Sequence, residues 1–167
     1  MIIETGSQDF RIRYAEKKDA SLIVKYIREL AEFEGELEDV SVTAMDIEEN
    51  VFEKGDAKVI IGEYQKKPVG FCLFHYTFST FLGKKGVGVV DLYIEPEMRN
   101  RGFGAAMMIF VAKHAIDIGA GRFEWPVHDW NDKASKLYKR WGAFPINNIR
   151  TYRLHEEALL NFAGNQR

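Results

Sequence analysis

"PEMRNRGFGAAMMIFVAKHA" runs from Pro96 to Ala115, and within it two arginines and two glycines occupy the six positions from Arg99 to Gly104. An apolar run of helical spacing follows without a gap. A helix N-terminus leaves backbone N–H groups unpaired and carries partial positive charge. Glycines let an anion come close to those donors. Two readings are open: a surface turn that starts a helix, or a cradle for an anionic group. In the second, Gly102 and Gly104 provide the approach, Arg99 and Arg101 the charge, and Ala105 and Ala106 a small-residue first turn.

Two phosphate-binding motifs are excluded. The dinucleotide fingerprint needs a third glycine where Met107 stands, and it opens a Rossmann unit instead of following a hairpin past mid-chain. A Walker A loop needs Gly-Lys-Ser/Thr, which is absent.

Working outward, "FRIRYA" (Phe10–Ala15) alternates and predicts a strand. Asp19 is placed to cap the helix after it, whose apolar face is Ala20, Ile23, Val24, Ile27, Leu30 and Ala31. A shorter helix is expected from Thr43 to Phe52, with Thr43 as cap. "AKVIIGEY" and "KPVGFCLFHYTF" predict two strands joined as a hairpin at Gln65–Lys67. "VGVVDLYI" (Val87–Ile94) is apolar on both faces and predicts a central strand. The helix from Gly102 to Ile118 stops at Gly119 and Gly121. "RFEWPV" predicts a strand, "WNDKASKLYKRWGAF" a short helix stopped by Gly142, "IRTYRL" a last strand, and Glu156–Ala163 an amphipathic tail. The order β-α-α-β-β-β-α-β-α-β fits one α+β or α/β layered domain over residues 10–163, with 1–9 as an amino-terminal extension.

Bulk properties bound the function. The chain has 167 residues, 46% of them hydrophobic and 13% aromatic, enough for one core without metals or disulfides. Its net charge of −2 lacks the basic surplus of a nucleic-acid binder. Its single cysteine, Cys72, fits a reducing cytoplasm. No apolar run approaches the ~20 residues of a membrane span. "MIIETGSQDF" does not read as a signal peptide. The four histidines show no metal-ligand spacing, no metal is expected, and His75, within a strand, reads as structural.

The segment Arg101-Gly102-Phe103-Gly104-Ala105-Ala106 resembles the R/Q-x-x-G-x-G/A signature of the GNAT acetyltransferases. "WNDKASKLYKRWGAF" resembles that superfamily's Asn-x-x-Ala/Ser-x-x-x-Tyr-x-x-x-Gly helix. Within it, "IRELAEFEGELEDV", "GFCLFHYTFSTFLGK", "VVDLYIEPEMRNRGFG" and "WNDKASKLYKRWGA" are similar to the diamine (spermidine/spermine) acetyltransferases. The resemblance implies an α+β, three-layer fold whose mixed, mostly antiparallel sheet carries a splayed strand pair. It implies acetyl-CoA as co-substrate, transfer to a primary amine of a small cationic molecule, and a homodimer. It assigns the diphosphate to the turn, Arg99 to Ala106, and the pantetheine arm to backbone groups of Leu92, Tyr93 and Ile94. A bulge or splay there opens a slot toward "RFEWPV".

Acetyl transfer from a thioester to an amine requires a deprotonated amine, donors for the developing oxyanion, and an acid for the departing thiolate. Tyr138 matches the family's tyrosine, and a phenol of pKa ~10 suits that acid. From spacing alone it also fits a core stripe with Ala134, Leu137 and Trp141. Asn131 reads as an N-cap and, by resemblance, as a cofactor contact, with Lys133 and Ala134 beside it. Asp91 is a carboxylate in an apolar strand and needs a partner: an arginine or backbone donor, or the substrate ammonium. The polyamine enzymes carry a proton-accepting glutamate where this chain has Val90. Glu124 is a candidate to share that role, or a plain surface carboxylate. By resemblance Glu34 holds a cationic amine, with Phe33 and Phe81 flanking an alkyl chain; the rest of "ELAEFEGELED" reads as a solvated face. The rival readings are an amino-acid or protein N-acetyltransferase, and a non-catalytic acyl-CoA-binding sensor.

Overall fold

Gln65 and Lys66 both adopt left-handed backbone angles, φ 50° and 65°, the geometry of a two-residue turn between right-twisted strands. The structure, a computed structural model, describes residues 3–4 and 9–164. Its strands are β1 (Ile3–Glu4), β2 (Phe10–Tyr14), β3 (Lys58–Tyr64), β4 (Lys67–Ser79), β5 (Lys84–Ile94) and β6 (Arg122–Glu124). Its helices are α1 (Ala20–Glu34), α2 (Ala44–Ile47), α3 (Phe103–Asp117), α4 (Asp132–Arg140) and α5 (Glu156–Gly164). The chain forms two compact units, Met1–Pro126 and Val127–Arg167.

The first unit holds one sheet in the order β1-β2-β3-β4-β5-β6. Every neighbour is antiparallel except β5 and β6, which run parallel. This is the expected mixed, mostly antiparallel α+β sheet. On one face α3 packs Phe103, Met107, Phe110 and Val111 against Phe10, Ile12, Ile60, Cys72 and Phe74. On the other, α1 and α2 pack Ala20, Ile23, Tyr26 and Ile47 against Val59, Ile61 and Phe71. Tyr26, absent from the expected apolar face of α1, is fully buried in its middle.

One irregularity organises β5. Leu73 of β4 faces Asp91, and the next residue, Phe74, faces Val89. Val90 is therefore an extra residue in the strand, a β-bulge. Side chains alternate along a strand, so an inserted residue moves all later ones to opposite faces. Val87 and Val89 pack on the α3 face before the bulge. After it Leu92 and Ile94 take that face, while Tyr93 joins the α1 face. Asp91 consequently turns toward α1.

Asp19 stands at the N-cap of α1 but makes no side-chain cap bond, which corrects the expected capping role. Its carboxylate instead accepts from both terminal nitrogens of Arg13, at 2.6 and 3.0 Å, and from the Glu16 amide at 2.8 Å. Arg13 Nε donates to Glu63 at 2.7 Å, so one guanidinium ties β2, β3 and the start of α1 together. Burial opposes the Asp19 charge, but Arg13 and the Glu16 amide outweigh it and hold the carboxyl below its usual range. Thr43 caps α2 as expected, accepting from the Asp46 amide. That helix is short and runs on as a π-helical turn, Glu48–Glu53.

Other expectations change in detail. Of the expected extension, residues 1–2 and 5–8 lie outside the described residues, and Ile3 and Glu4 pair with Ile12 and Arg11. Strand β5 has a neighbour on both edges only over Gly86–Gly88, so it is central only in that part. The "RFEWPV" strand is limited to Arg122–Glu124. In the second unit, α4 stops at left-handed Gly142 (φ 87°) and α5 forms the tail. "IRTYRL" forms no strand: Ile149 falls on one face of its alternation and Tyr152 and Leu154 on the other, so neither face is consistently apolar.

The β4–β5 pairing passes very close at Gly70. A Cβ there would run into the Tyr93 carbonyl oxygen and lie 2.7 Å from Ile94 Cδ1. Gly70→Ala is expected to destabilise the fold by about 1–3 kcal/mol, the usual cost of overpacking. Urea unfolding checks this as a lowered midpoint at unchanged m-value.

Candidate active site

The hydrogen bonds between β4 and β5 continue to Ile94, but β6 accompanies β5 only from Gly86 to Gly88. From Val89 to Ile94 the second edge of β5 therefore has no partner strand among the described residues. Backbone N–H and C=O groups on such an edge are free to pair with an extended ligand. Leu92, Tyr93 and Ile94, the residues expected to hold the pantetheine arm, lie on it. The side chain of Tyr93 is buried among the α1-face residues and those of Leu92 and Ile94 among the α3-face residues, leaving the backbone as the available surface.

Beyond Ile94 the chain makes a 3₁₀ turn at Pro96–Met98 and reaches α3 through two left-handed residues, Asn100 (φ 62°) and Gly102 (φ 82°). The first bond of the α3 ladder runs from the Ala106 amide to the Gly102 carbonyl, 2.9 Å. The amides of Phe103, Gly104 and Ala105 precede it and have no intrahelical acceptor. A Cβ on Gly102 would meet nothing within 4 Å, so the space before these amides is open. Phe103 contributes only its backbone: its side chain is 3% exposed and stacks on Phe10 at 4.1 Å.

The two arginines diverge. Arg99 donates its Nε to the Ile94 carbonyl at 2.9 Å and lays its guanidinium over Phe33 (4.7 Å) and Tyr93 (5.5 Å). Arg101 is exposed and lies 5.5 Å from the ring centre of Tyr64. Among the described residues, neither Arg101 nor the terminal nitrogens of Arg99 have a hydrogen-bond acceptor. Open amides, two uncommitted cationic ends and a free strand edge fit a diphosphate with an extended arm.

On the α1 face the charge reverses. Asp91 is half-buried and has no hydrogen bond or ion pair among the described residues, so the arginine or backbone partner expected from the sequence is absent there. Burial, and after it the charge of Glu34, push its carboxyl up to about 6. Glu34 is the last residue of α1, and no basic residue lies in that final turn. A carboxylate there opposes the helix dipole, a local cost of the kind proteins accept at functional sites.

Beside this pair lies a cleft of about 440 Å³ lined by Lys25, Glu29, Glu32, Phe33, Tyr93, Glu95, Pro96, Glu97 and Arg99. Its charges are partly matched: Lys25 lies 3.4 Å from Glu29 and 3.3 Å from Glu95. Burial, then a hydrogen bond with Glu29, push the Tyr93 phenol up to about 12, so it stays protonated. Phe33 keeps a half-exposed ring with Arg99 over it. Phe81, expected to flank an alkyl chain with Phe33, is 93% exposed at the β4–β5 turn. Glu124, opposite Gly88 in register, follows the inward-packed Phe123 and so faces the α1 side, half-buried.

In the second unit Asn131 caps α4, its Oδ1 accepting from the Ala134 amide at 3.1 Å. Lys133 is exposed and Ala134 half-buried in the first turn. Tyr138 is half-buried with its ring 5.5 Å from Trp141, and no residue of α4 is fully buried.

The sequence reading names Asp91, Glu34, the turn and, by resemblance, a bulge or splay near Leu92–Ile94, but misses the bulge's place at Val90, the stacking of Arg99 and the cleft. The bulge leaves a readable mark: the inward apolar positions change from odd (Val87, Val89) to even (Leu92, Ile94). The cleft leaves none, because its walls come from segments about sixty residues apart.

Comparison with known proteins meets this geometry. The model of the acetyltransferase (GNAT) family matches residues 24–143. Thialysine N-epsilon-acetyltransferase of Sus scrofa is 32% identical over 92% of this chain and 96% of its own length. A spermidine/spermine N(1)-acetyltransferase-like protein of Homo sapiens is 29% identical over 96% of this chain and 24% of its own, longer chain. An integron cassette protein from V. cholerae superposes with a TM-score of 0.78, covering 93% of this chain and 98% of its own at 25% identity. A strand edge opened beside a glycine-capped helix, in a chain so matched, has one family explanation: the protein belongs to the GNAT acetyltransferases, in the group related to the diamine acetyltransferases.

Proposed function

We propose that the protein transfers an acetyl group from acetyl-CoA to the primary amine of a small cationic molecule: a polyamine, a diamine or a lysine-like amine. The observation that carries the cationic substrate is Asp91, a half-buried carboxylate next to Glu34 with no cation beside it among the described residues. Such a charge is costly unless compensated, and an ammonium group compensates it. The relative named for the ε-nitrogen of thialysine supports the lysine-like end of this range. The relative named spermidine/spermine N(1)-acetyltransferase-like supports the polyamine end.

Acetyl-CoA supplies the activated thioester. The α3 amides with Arg99 and Arg101 hold its diphosphate, the β5 edge at Leu92–Ile94 holds its arm, and Asn131, Lys133 and Ala134 contact it from α4. Glu34, Asp91 and Glu124 attract the amine, and Phe33 packs on its alkyl chain. Tyr138 donates the proton that the departing sulfur takes up. A cytoplasmic homodimer belongs to the same reading. It is supported by the single cysteine, Cys72, which is free and buried, and by apolar side chains exposed on the second unit, among them Phe144, Ile149, Tyr152 and Leu160.

Three measurements test the reading. In a thiol-release assay over an amine panel, dicationic amines should be turned over with higher kcat/KM than neutral-chain amines of equal length; equal values would remove the acidic amine site. CoA should raise the melting temperature by mass action. In Gly104→Val, whose Cβ would meet Leu92 and Ile94 only at 3.9 and 3.8 Å, the fold should survive and that shift disappear. An undiminished shift would exclude the cradle. Tyr138→Phe should keep CoA affinity and lower kcat by about 10²–10⁴-fold. A fully active variant would point to a packing role, and a wild type that binds CoA but acetylates no amine would favour the sensor.

A further inference from the structure

We infer that Asp91 is the general base of the reaction, accepting the proton of the substrate ammonium in place of the glutamate that position 90 lacks. This rests on the amine-acetylating reading above. The bulge makes the assignment. Val90 is the extra residue and its side chain is 46% exposed. Asp91, one residue on, is turned to the α1 face and half-buried. It lies on the stretch of β5 where the sheet edge opens, which is where an acetyl group carried along that edge would meet an amine.

The surroundings of Asp91 suit a base. From α1, Glu34 adds negative charge, and from its own strand Tyr93 follows on the same face as a protonated phenol. From β4, the fully buried Cys72 thiol is pushed up by burial and by the Asp91 charge itself, so it stays neutral. From β6, Glu124 occupies the same face three register positions back. No cation among the described residues opposes proton uptake. A carboxylate held this way is more basic than one in water, because both burial and a like charge disfavour its ionised form. Glu34 sits at the end of α1, and its charge serves to keep Asp91 basic.

The proton balance is complete. Asp91 Oδ takes one proton from the ammonium and passes it to water. The freed nitrogen lone pair forms the N–C bond as the C–S bond breaks. The second proton leaving nitrogen balances the one that the departing sulfur gains through Tyr138. No oxidant or further reactant is involved.

Asp91→Asn tests the assignment with two readouts. The first is stability against pH, independent of catalysis. A carboxyl raised from 3.8 to about 6 in the folded state binds protons more tightly folded than unfolded. The native protein therefore loses stability as pH rises through that window. Asp91→Asn should melt higher than wild type at pH 7–8, and the gap should close as pH falls from 6 toward 4. A variant no more stable than wild type at pH 8 would mean that Asp91 is compensated, and would overturn the proposal. The second readout is kcat at saturating amine. With a diamine, kcat of Asp91→Asn should fall by about 10²–10⁴-fold. With trifluoroethylamine, already neutral at the assay pH, it should stay near the wild-type value. Equal losses on both amines would mean that Asp91 does not act on the ammonium proton, and would overturn the proposal. A loss confined to the diamine but seen in Glu124→Gln instead would move the base to β6. A wild type inactive on every amine, yet with the pH-dependent stability gap intact, would overturn the functional reading and the base with it, while leaving the uncompensated carboxylate established.

Discussion

A single extra residue in β5 sets the geometry on which the rest of the site depends. Because strand side chains alternate with period two, the bulge at Val90 reverses the facing of every residue after it. Without it, Leu92 and Ile94 would point at α1, and Asp91 would enter the apolar cluster beneath α3, where a carboxylate has no partner. With it, both halves of the strand present aliphatic side chains to α3, and the one carboxylate faces the acidic end of α1. The core and the site are satisfied by the same irregularity.

The bulge also lies where β6 stops following β5. Two opposite fields meet along the opened half of the strand. Past its end, Arg99, Arg101 and the first α3 amides form a positive terminus. Upstream, Asp91 stands beside Glu34 and forms the negative pole, with no cation paired to it among the described residues. In the proposed reaction, the positive terminus attracts the anionic carrier and the negative pole the cationic acceptor. Arg99 divides the two: its Nε is anchored to the Ile94 carbonyl and its guanidinium is stacked with Phe33 and Tyr93. Its charge stays at the turn and does not neutralise Asp91.

Stability and function pull apart at these residues. The Arg13–Asp19–Glu63 group shows how the same fold treats a buried charge that serves only the architecture. There the carboxylate is fully paired, and hydrogen bonds outweigh the cost of burial. Asp91 is treated the opposite way, and Glu34 ends its helix against the dipole. Proteins keep such unfavourable placements where a ligand makes up the difference.

The family, most of the element order and the cationic turn before α3 were legible in the sequence because each rests on local chemistry. Glycine spacing admits a left-handed N-cap, heptad-like apolar spacing predicts α1 and α3, and a two-residue turn joins β3 to β4. The phase shift between Val89 and Leu92 even carried the bulge, although only as a change of parity. Local signals failed where pairing decides. "IRTYRL" has strand-forming residues but no consistent apolar face, and "RFEWPV" keeps a strand only over three residues. That Asp91 lacks an arginine, that Arg99 stacks on Phe33, and that a cleft forms between α1 and the end of β5 were decided by tertiary structure alone. Each depends on which distant side chain arrives within a few ångströms, and burial or pairing across that distance leaves no mark on the spacing of residues along the chain.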